Sequence, residues 1–376
     1  MSLEILHVAD VHLGASFSAF GDVADERGRA VLKAFTALPE RAREHGVHAV
    51  LVAGDLFDDN EPSRECLAAA RDVFRRLEEE GRRVFVVPGN HDSAVSHPNP
   101  YREALGGAHV FDGPRFGSPE TVETPAGPLH VYGLCYDPAT ETDPLSSFRH
   151  NGEPGFHVVL LHGAVRFAPH WADSPSSLRL DPEALESLEA DYIALGDYHR
   201  FRRPSAFDPD GSIPACYPGS FAAVDLTETG PKGPVVVSLS RKGLAVDQIP
   251  GSVPFVHEVG EVDVSAVESP AAVAERVAEL TPEGAYPLVT VTGQPGCPLD
   301  PESVEIELRQ RFGAAFVRDE TTFYSAAFLD DLAEQDTVAG HVVRRGRRRI
   351  ETAKDSGERK IEDRALRIVL RELEVR

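Results

Sequence analysis

The chain has 376 residues, 41% of them hydrophobic, and a formal net charge of −23. That length provides for a sizeable core and two or three domains, and the acidic balance excludes simple electrostatic adsorption to nucleic acid, because a polyanion is repelled over most of such a surface. No apolar run reaches the roughly 18 residues of a membrane span, and the opening residues lack a basic region followed by an apolar signal core, so a cytoplasmic protein is expected. Cys66, Cys135, Cys216 and Cys297 sit singly, without a CxxC, and are expected as small buried hydrophobes rather than a disulfide framework or a thiolate zinc site.

In chain order, Leu3–Ala9 reads as a strand, Asp25–His45 as a helix and His48–Ala53 as a second strand. Ser63–Glu79 reads as a helix opened by a serine cap with Glu65 in its first turn, and Arg83–Val87 as a third strand. His157–Leu161 and Asp191–Leu195 follow as short strands, and β-rich sequence runs from Ala215 to about Ile249. The alternation is that of a layered α/β fold. A composition shift at Pro250-Gly251-Ser252-Val253-Pro254 marks a domain boundary. Beyond it, Ala271–Leu280 (helix), Tyr286–Thr292 (strand) and Ser303–Phe312 (helix) outline a small α/β module. From Thr337 to Arg376 there are 12 Lys and Arg against 7 Asp and Glu, a local net of 12 − 7 = +5 that includes Arg344-Arg345-Gly346-Arg347-Arg348-Arg349. That stretch reads either as a solvated, salt-bridged helical tail or as a contact for nucleic acid or a partner.

The chemistry lies where the strands end. Asp10-Val11-His12, Gly54-Asp55-Leu56-Phe57-Asp58, Gly89-Asn90-His91-Asp92, His162-Gly163 and Gly196-Asp197-Tyr198-His199 each follow an apolar run. Five strands therefore deliver Asp, Asn or His to the carboxyl edge of a sheet, where open α/β folds bind ligands. Oxygen donors mixed with imidazoles suit Mn, Fe or Zn better than an all-oxygen Mg or Ca site. Asp55 can bridge two cations, and the glycines beside these residues allow close backbone approach. Taken singly, each segment is also an ordinary turn, and His162 alone reads as a core histidine.

Together these segments resemble the five-part signature of calcineurin-like metallophosphoesterases, over roughly residues 3 to 245. Within that superfamily Asp10–Gly14, Gly54–Asp58 with Pro62-Ser63, and Tyr217-Pro218-Gly219-Ser220 followed by Lys232-Gly233 resemble the SbcD-type DNA-repair nucleases. The resemblance implies a metallophosphoesterase sandwich of β-sheets flanked by helices over residues 1–250, a small α/β capping domain over 251–338 and a basic tail over 339–376. It implies two divalent ions, Mn2+ first with Fe or Zn as alternatives. Asp10, His12, Asp55 and His199 would hold one, and Asp55, Asn90, His162 and Asp197 the other. His91 would serve as general acid or electrostatic partner, with Asp58 orienting its imidazole. The family pattern Gly-His-x-His is Gly196-Asp197-Tyr198-His199 here, so Asp197 either supplies an oxygen ligand or closes a turn short of the ion. The implied activity is metal-dependent DNA exonuclease or endonuclease cleavage in DNA repair. The implied partners are DNA, an SMC-type ATPase of the SbcC class and a second copy of the chain. Two rivals stay open: a phosphodiesterase or phosphatase for a small phosphorylated substrate, favoured by the acidic charge and by Asp197, and a non-enzymatic DNA-end scaffold with a crippled second metal site.

Overall fold

The computed structural model describes residues 2–373 except 104, 136, 138–143, 166–176, 204–212, 266, 268, 294–300 and 322–325. Cys297 and the last three residues of the basic stretch therefore lie outside the described residues. The chain forms two compact units, Met1–Val256 and His257–Arg376.

The first unit runs through β1 (Leu3–Val8), α1 (Ala24–Thr36), α2 (Leu38–Glu44), β2 (Ala49–Ala53), α3 (Arg64–Glu79), β3 (Arg83–Val87), β4 (His109–Val110), β5 (Glu120–Thr124) and β6 (Gly127–Gly133). It continues through β7 (Phe156–His162), β8 (Ala164–Val165), β9 (Arg179–Leu180), α4 (Pro182–Glu186), β10 (Tyr192–Gly196), β11 (Ala215–Cys216), β12 (Val235–Ser240) and β13 (Gly243–Gln248). Six strands in the order β13-β12-β1-β2-β3-β4 make one sheet, parallel from β1 to β4. Five in the order β11-β10-β7-β6-β5 make a second, in which β5 alone runs antiparallel to its neighbour.

Side-chain alternation explains how the sheets meet. Leu3, Ile5, Ala49, Leu51 and Phe85 project to one face of the first sheet and pack with Leu129, Val131, Val158, Leu160 and Ala194 of the second. The opposite face of the second sheet (Val159, Leu161, Ile193, Leu195) packs with Leu180 and with Leu185 of α4. Strands covered on both faces are apolar throughout, as Ala49–Ala53 is. The helix read over Asp25–His45 is two helices, broken at Ala37. Pro39 lacks an N–H and is admitted in the first turn of α2, where no intrahelical acceptor is needed. The expected cap of α3 is present, Ser63 Oγ accepting from the Cys66 amide at 3.2 Å. Cys66, Cys135 and Cys216 are buried.

In the second unit β14 (Phe255–Asp263), α5 (Pro270–Leu280), β15 (Ala285–Gly293), α6 (Pro301–Phe312) and β16 (Phe316–Thr321) form a three-stranded sheet with its helices. Its core joins Val273 and Val277 of α5 and Val304 and Leu308 of α6 to Val289 and Val291 of β15. Three helices follow, α7 (Ala326–Glu334), α8 (Val338–Thr352) and α9 (Ser356–Glu372), around Leu332, Val343, Leu366 and Leu370. The arginine run lies on α8, where Arg347 pairs with Asp330 at 2.7 Å and Arg349 with Glu362 at 2.6 Å. Among the described residues no helix is long and apolar enough to cross a membrane.

One buried polar pair joins the two sheets: His7 Nδ1 lies 2.8 Å from the Tyr192 hydroxyl, with His7 fully buried. Burial pushes the His7 imidazole down to about 3. The unfolded chain, titrating near 6.5, then holds a proton that the folded one refuses, so stability falls as pH drops below 6.5. At pH 5 this group alone costs about 2 kcal/mol, at about 1.4 kcal/mol per pH unit over the one and a half units below 6.5. Urea denaturation of metal-free protein should show the gap between wild type and His7→Leu narrowing by that amount between pH 7.5 and pH 5. A gap independent of pH would mean that His7 does not resist protonation.

Candidate metal centre

The residues read from the strand ends converge at the carboxyl edges of β1, β2, β3, β7 and β10. Backbone conformation brings them inward: Asp10 (φ 49°), His12 (φ 51°), Asp55 (φ 48°) and Asp197 (φ 100°) all adopt the positive-φ region that side chains with a Cβ avoid. Such residues cost about 1–3 kcal/mol each and persist where their surroundings dictate them. Glycine serves where even that does not suffice. A Cβ on Gly54, itself at φ 83°, would lie 2.0 Å from His162 Nδ1, and one on Gly196 would lie 1.7 Å from the Ala53 carbonyl oxygen.

Three imidazoles share one arrangement. His162 Nδ1 is 3.0 Å from the Ala53 carbonyl, His12 Nδ1 is 3.1 Å from Asp58 Oδ1, and His199 Nδ1 is 2.9 Å from Glu228 Oε1. Each Nδ1 therefore carries a proton donated to an oxygen, and each Nε2 is left facing the centre, the tautomer that outer oxygen partners impose on metal-binding histidines. His162 Nε2 lies 2.8 Å from Asn90 Oδ1, 3.4 Å from Asp55 Oδ2 and 3.6 Å from Asp197 Oδ1. His12 Nε2 lies 3.3 Å from His199 Nε2 and 3.9 Å from Asp55 Oδ2. Ligand atoms of Asp10, His12 and His199, and of Asp10, Asp55 and His162, fall within 4.8 Å of one another. Asp55 thus sits between the two groups, and Asp10 belongs to both.

The electrostatics follow from two fully buried carboxylates, Asp10 and Asp55. Burial pushes the Asp10 carboxyl up, against the nearby imidazoles. Asp55 is held below its usual range, burial being outweighed by His162, His12 and His91. Burial also opposes charge on the histidines, yet Asp55, Asp197 and Asp10 lift His162 to about 9, and Glu228 and Asp10 lift His199 to about 9. Protons thus occupy positions where a cation would find imidazole nitrogen and carboxylate oxygen together. The donor set of four carboxylates or amide oxygens (Asp10, Asp55, Asn90, Asp197) and three imidazoles fits a pair of divalent ions with mixed oxygen and nitrogen ligands.

His91 stands at the exposed rim, its ring 4.8 Å from that of His12 and its amide donating to Asp55 Oδ1 at 2.9 Å. Asp58 meets both rings, its backbone oxygen 2.9 Å from His91 Nδ1 and its carboxylate Oδ1 3.1 Å from His12 Nδ1. Asp197 accepts from Ser177 Oγ at 2.5 Å while its amide donates to Asp10 Oδ1 at 3.0 Å. Asp92 is buried behind the centre, accepting from the Gly89 and Phe57 amides and from Tyr101, and burial pushes its carboxyl up to about 6.

Sequence reasoning did not single out Ser177 or Glu228. Ser177 follows a stretch without a periodic signal. Glu228 follows Tyr217-Pro218-Gly219-Ser220 and precedes Lys232 by four residues, an acid–base spacing that is the one local signal it carries.

The calcineurin-like phosphoesterase profile matches residues 3–201. An uncharacterized metallophosphoesterase, YhaO of Bacillus subtilis strain 168, is 27% identical over 252 residues, 65% of this chain and 59% of its own. A DNA double-strand break repair protein Mre11 from Methanosarcina acetivorans is 27% identical over 257 residues, 65% of this chain and 38% of its own, so the chain spans about half the length of these relatives or less. The Mre11 of Halobacterium salinarum is 27% identical over 82% of this chain and 74% of its own. The crystal structure of TT1561 of Thermus thermophilus aligns with 66% of this chain and 99% of its own at 13% identity and a TM-score of 0.39. With more than half of its length matched, and with the strand-end ligand geometry set out above, the chain belongs to the calcineurin-like phosphoesterase family.

Proposed function

We propose that the chain is a two-cation phosphodiesterase that cleaves DNA, with Mn2+ as its working ion, in partnership with an SMC-type ATPase. The observation that carries the hydrolytic reading is the convergence of three Nδ1-anchored imidazoles on Asp55 and its neighbours. DNA as substrate is supported by the relatives named as DNA double-strand break repair proteins. Asp10, His12, Asp55 and His199 would hold one ion, and Asp55, Asn90, His162 and Asp197 the other. Bound there, the ions would neutralise charge on the phosphate and acidify water for attack at neutral pH. His91, with Nδ1 engaged by the Asp58 carbonyl, keeps Nε2 as the atom from which a proton reaches the leaving oxygen. Asp58 fixes two rings at once, His12 through its carboxylate and His91 through its backbone. The second unit takes the role of the capping domain, and the helical pair α8–α9 that of the ATPase contact.

Two outcomes follow. Purified protein with Mn2+ should degrade end-labelled single- or double-stranded DNA, and His91→Ala should slow this by about 10²–10⁴-fold while still binding metal. Cleavage confined to a chromogenic diester would favour the small-substrate rival, and no cleavage of either substrate, with fewer than two tightly held ions per chain, would favour the scaffold. Metal binding should also release protons. His162 and His199, held up to about 9, must lose theirs before Nε2 can ligate, so Mn2+ affinity should climb with pH until about 9. Calorimetric titration in two buffers of different ionisation enthalpy reads the protons directly, and an affinity independent of pH would contradict the assignment of these two histidines.

A further inference from the structure

Glu228 lies beyond the residues that the family profile matches, in the loop before β12. Its two carboxylate oxygens are fully engaged. Oε1 faces His199 Nδ1 at 2.9 Å, while Oε2 accepts from Ser220 Oγ at 2.6 Å and lies 3.4 Å from Lys232 Nζ. Lys232 also donates to the His199 carbonyl oxygen, from which Ser220 Oγ is 3.5 Å away. One residue, His199, is thus held at its ring by Glu228 and at its backbone by Lys232 and Ser220, the two side chains that also engage Glu228.

Burial makes this arrangement informative. Glu228 is 9% exposed and Lys232 5%, and two charges removed from water to that degree usually gain little net stability over apolar residues. The other two centre-facing imidazoles are anchored differently: His162 on a backbone oxygen, which no substitution removes, and His12 on Asp58, whose side chain is 32% exposed. Lys232 balances the charge of Glu228, so the anchor adds little further repulsion to Asp10, Asp55 and Asp197.

We propose that Glu228 is a positioning residue for His199: supported by Ser220 and Lys232, it holds the proton on Nδ1 and turns Nε2 toward the centre as a metal ligand. The proposal rests on the two-cation reading of the site. A carboxylate in this place raises the basicity of the imidazole and fixes its orientation, and losing such a partner typically costs about 10–100-fold in metal affinity.

The test compares full-length wild type, Glu228→Ala and Glu228→Gln by calorimetric Mn2+ titration of chelated protein, with thermal melts in EDTA alongside. Glu228→Ala should weaken one of two binding steps by about 10–100-fold and leave the other nearly unchanged. Glutamine keeps an acceptor for Nδ1–H without the charge, so Glu228→Gln should weaken the same step by less than tenfold, on the order of threefold. If the alanine variant does not fold, the glutamine variant decides. Wild-type affinity in the folded variants, an equal loss in both steps, or a lowered melting temperature with unchanged affinity would each overturn the assignment and reduce Glu228 to a structural residue. Fewer than two bound ions in the wild type would overturn the two-cation reading and this inference with it.

Discussion

The site depends on two carboxylates, Asp10 and Asp55, buried with almost no exposed surface at the ends of adjacent parallel strands. An uncompensated buried charge destabilises a fold by about 3–5 kcal/mol, so something positive must stand beside them. In the metal-free protein that role falls to protons on His162 and His199, which the carboxylates hold up to about 9. The partners on the far side of each ring accept from Nδ1 alone, so the exchangeable charge sits on Nε2, in the centre.

The same constraint reaches into the backbone. Two sheets must approach until the Gly196 backbone meets the Ala53 carbonyl oxygen and Gly54 meets the His162 ring. Side chains at these points are excluded by contact rather than by conformation alone. At the candidate ligands Asp10, His12, Asp55 and Asp197 the chain accepts a left-handed residue instead. That cost is borne locally because the strands leading to these residues are covered on both faces, and their apolar cores hold the ends in register.

This division accounts for what the amino-acid order revealed. Ala49–Ala53 and Arg83–Val87 were legible as strands because burial on both faces leaves runs of small and branched apolar residues with no polar phase. The candidate ligands stood out because each follows such a run directly. The break at Ala37 was hidden, since amphipathic spacing continues across it and only Pro39 betrays a new first turn. The β5–β6 hairpin escaped notice because Glu120–Thr124 alternates half-buried and exposed residues, two of them acidic, and carries little apolar signal. Which Asp58 oxygen meets which histidine is a matter of rotamer and turn geometry that the sequence does not carry. Glu228 and Ser177 act only through tertiary contact, and nothing in their immediate neighbours encodes a distant imidazole or carboxylate.

Net charge and proposed substrate pull in opposite directions, since a chain carrying −23 is asked to bring a phosphodiester polyanion to a cluster of carboxylates. The resolution is one of range. Beyond a Debye length of about 8 Å at physiological ionic strength, exposed surface charges are largely screened, whereas charges inside the centre are not. What the scissile phosphate meets is then set by the cations and imidazoles within a few ångströms. Asp197 bears on that local balance. It puts a carboxylate 3.6 Å from His162 Nε2, where an imidazole would bring no charge, so the Asp55–His162 half of the centre carries two carboxylates, as the His12–His199 half does through Asp10 and Asp55. Its hydrogen bond from Ser177 spreads part of that charge away from the ion position. In the proposed ligand sets oxygen donors outnumber nitrogen around His162 and equal them around His12 and His199, so the two halves would differ in hardness, and a cation that accepts both donor types would suit the pair.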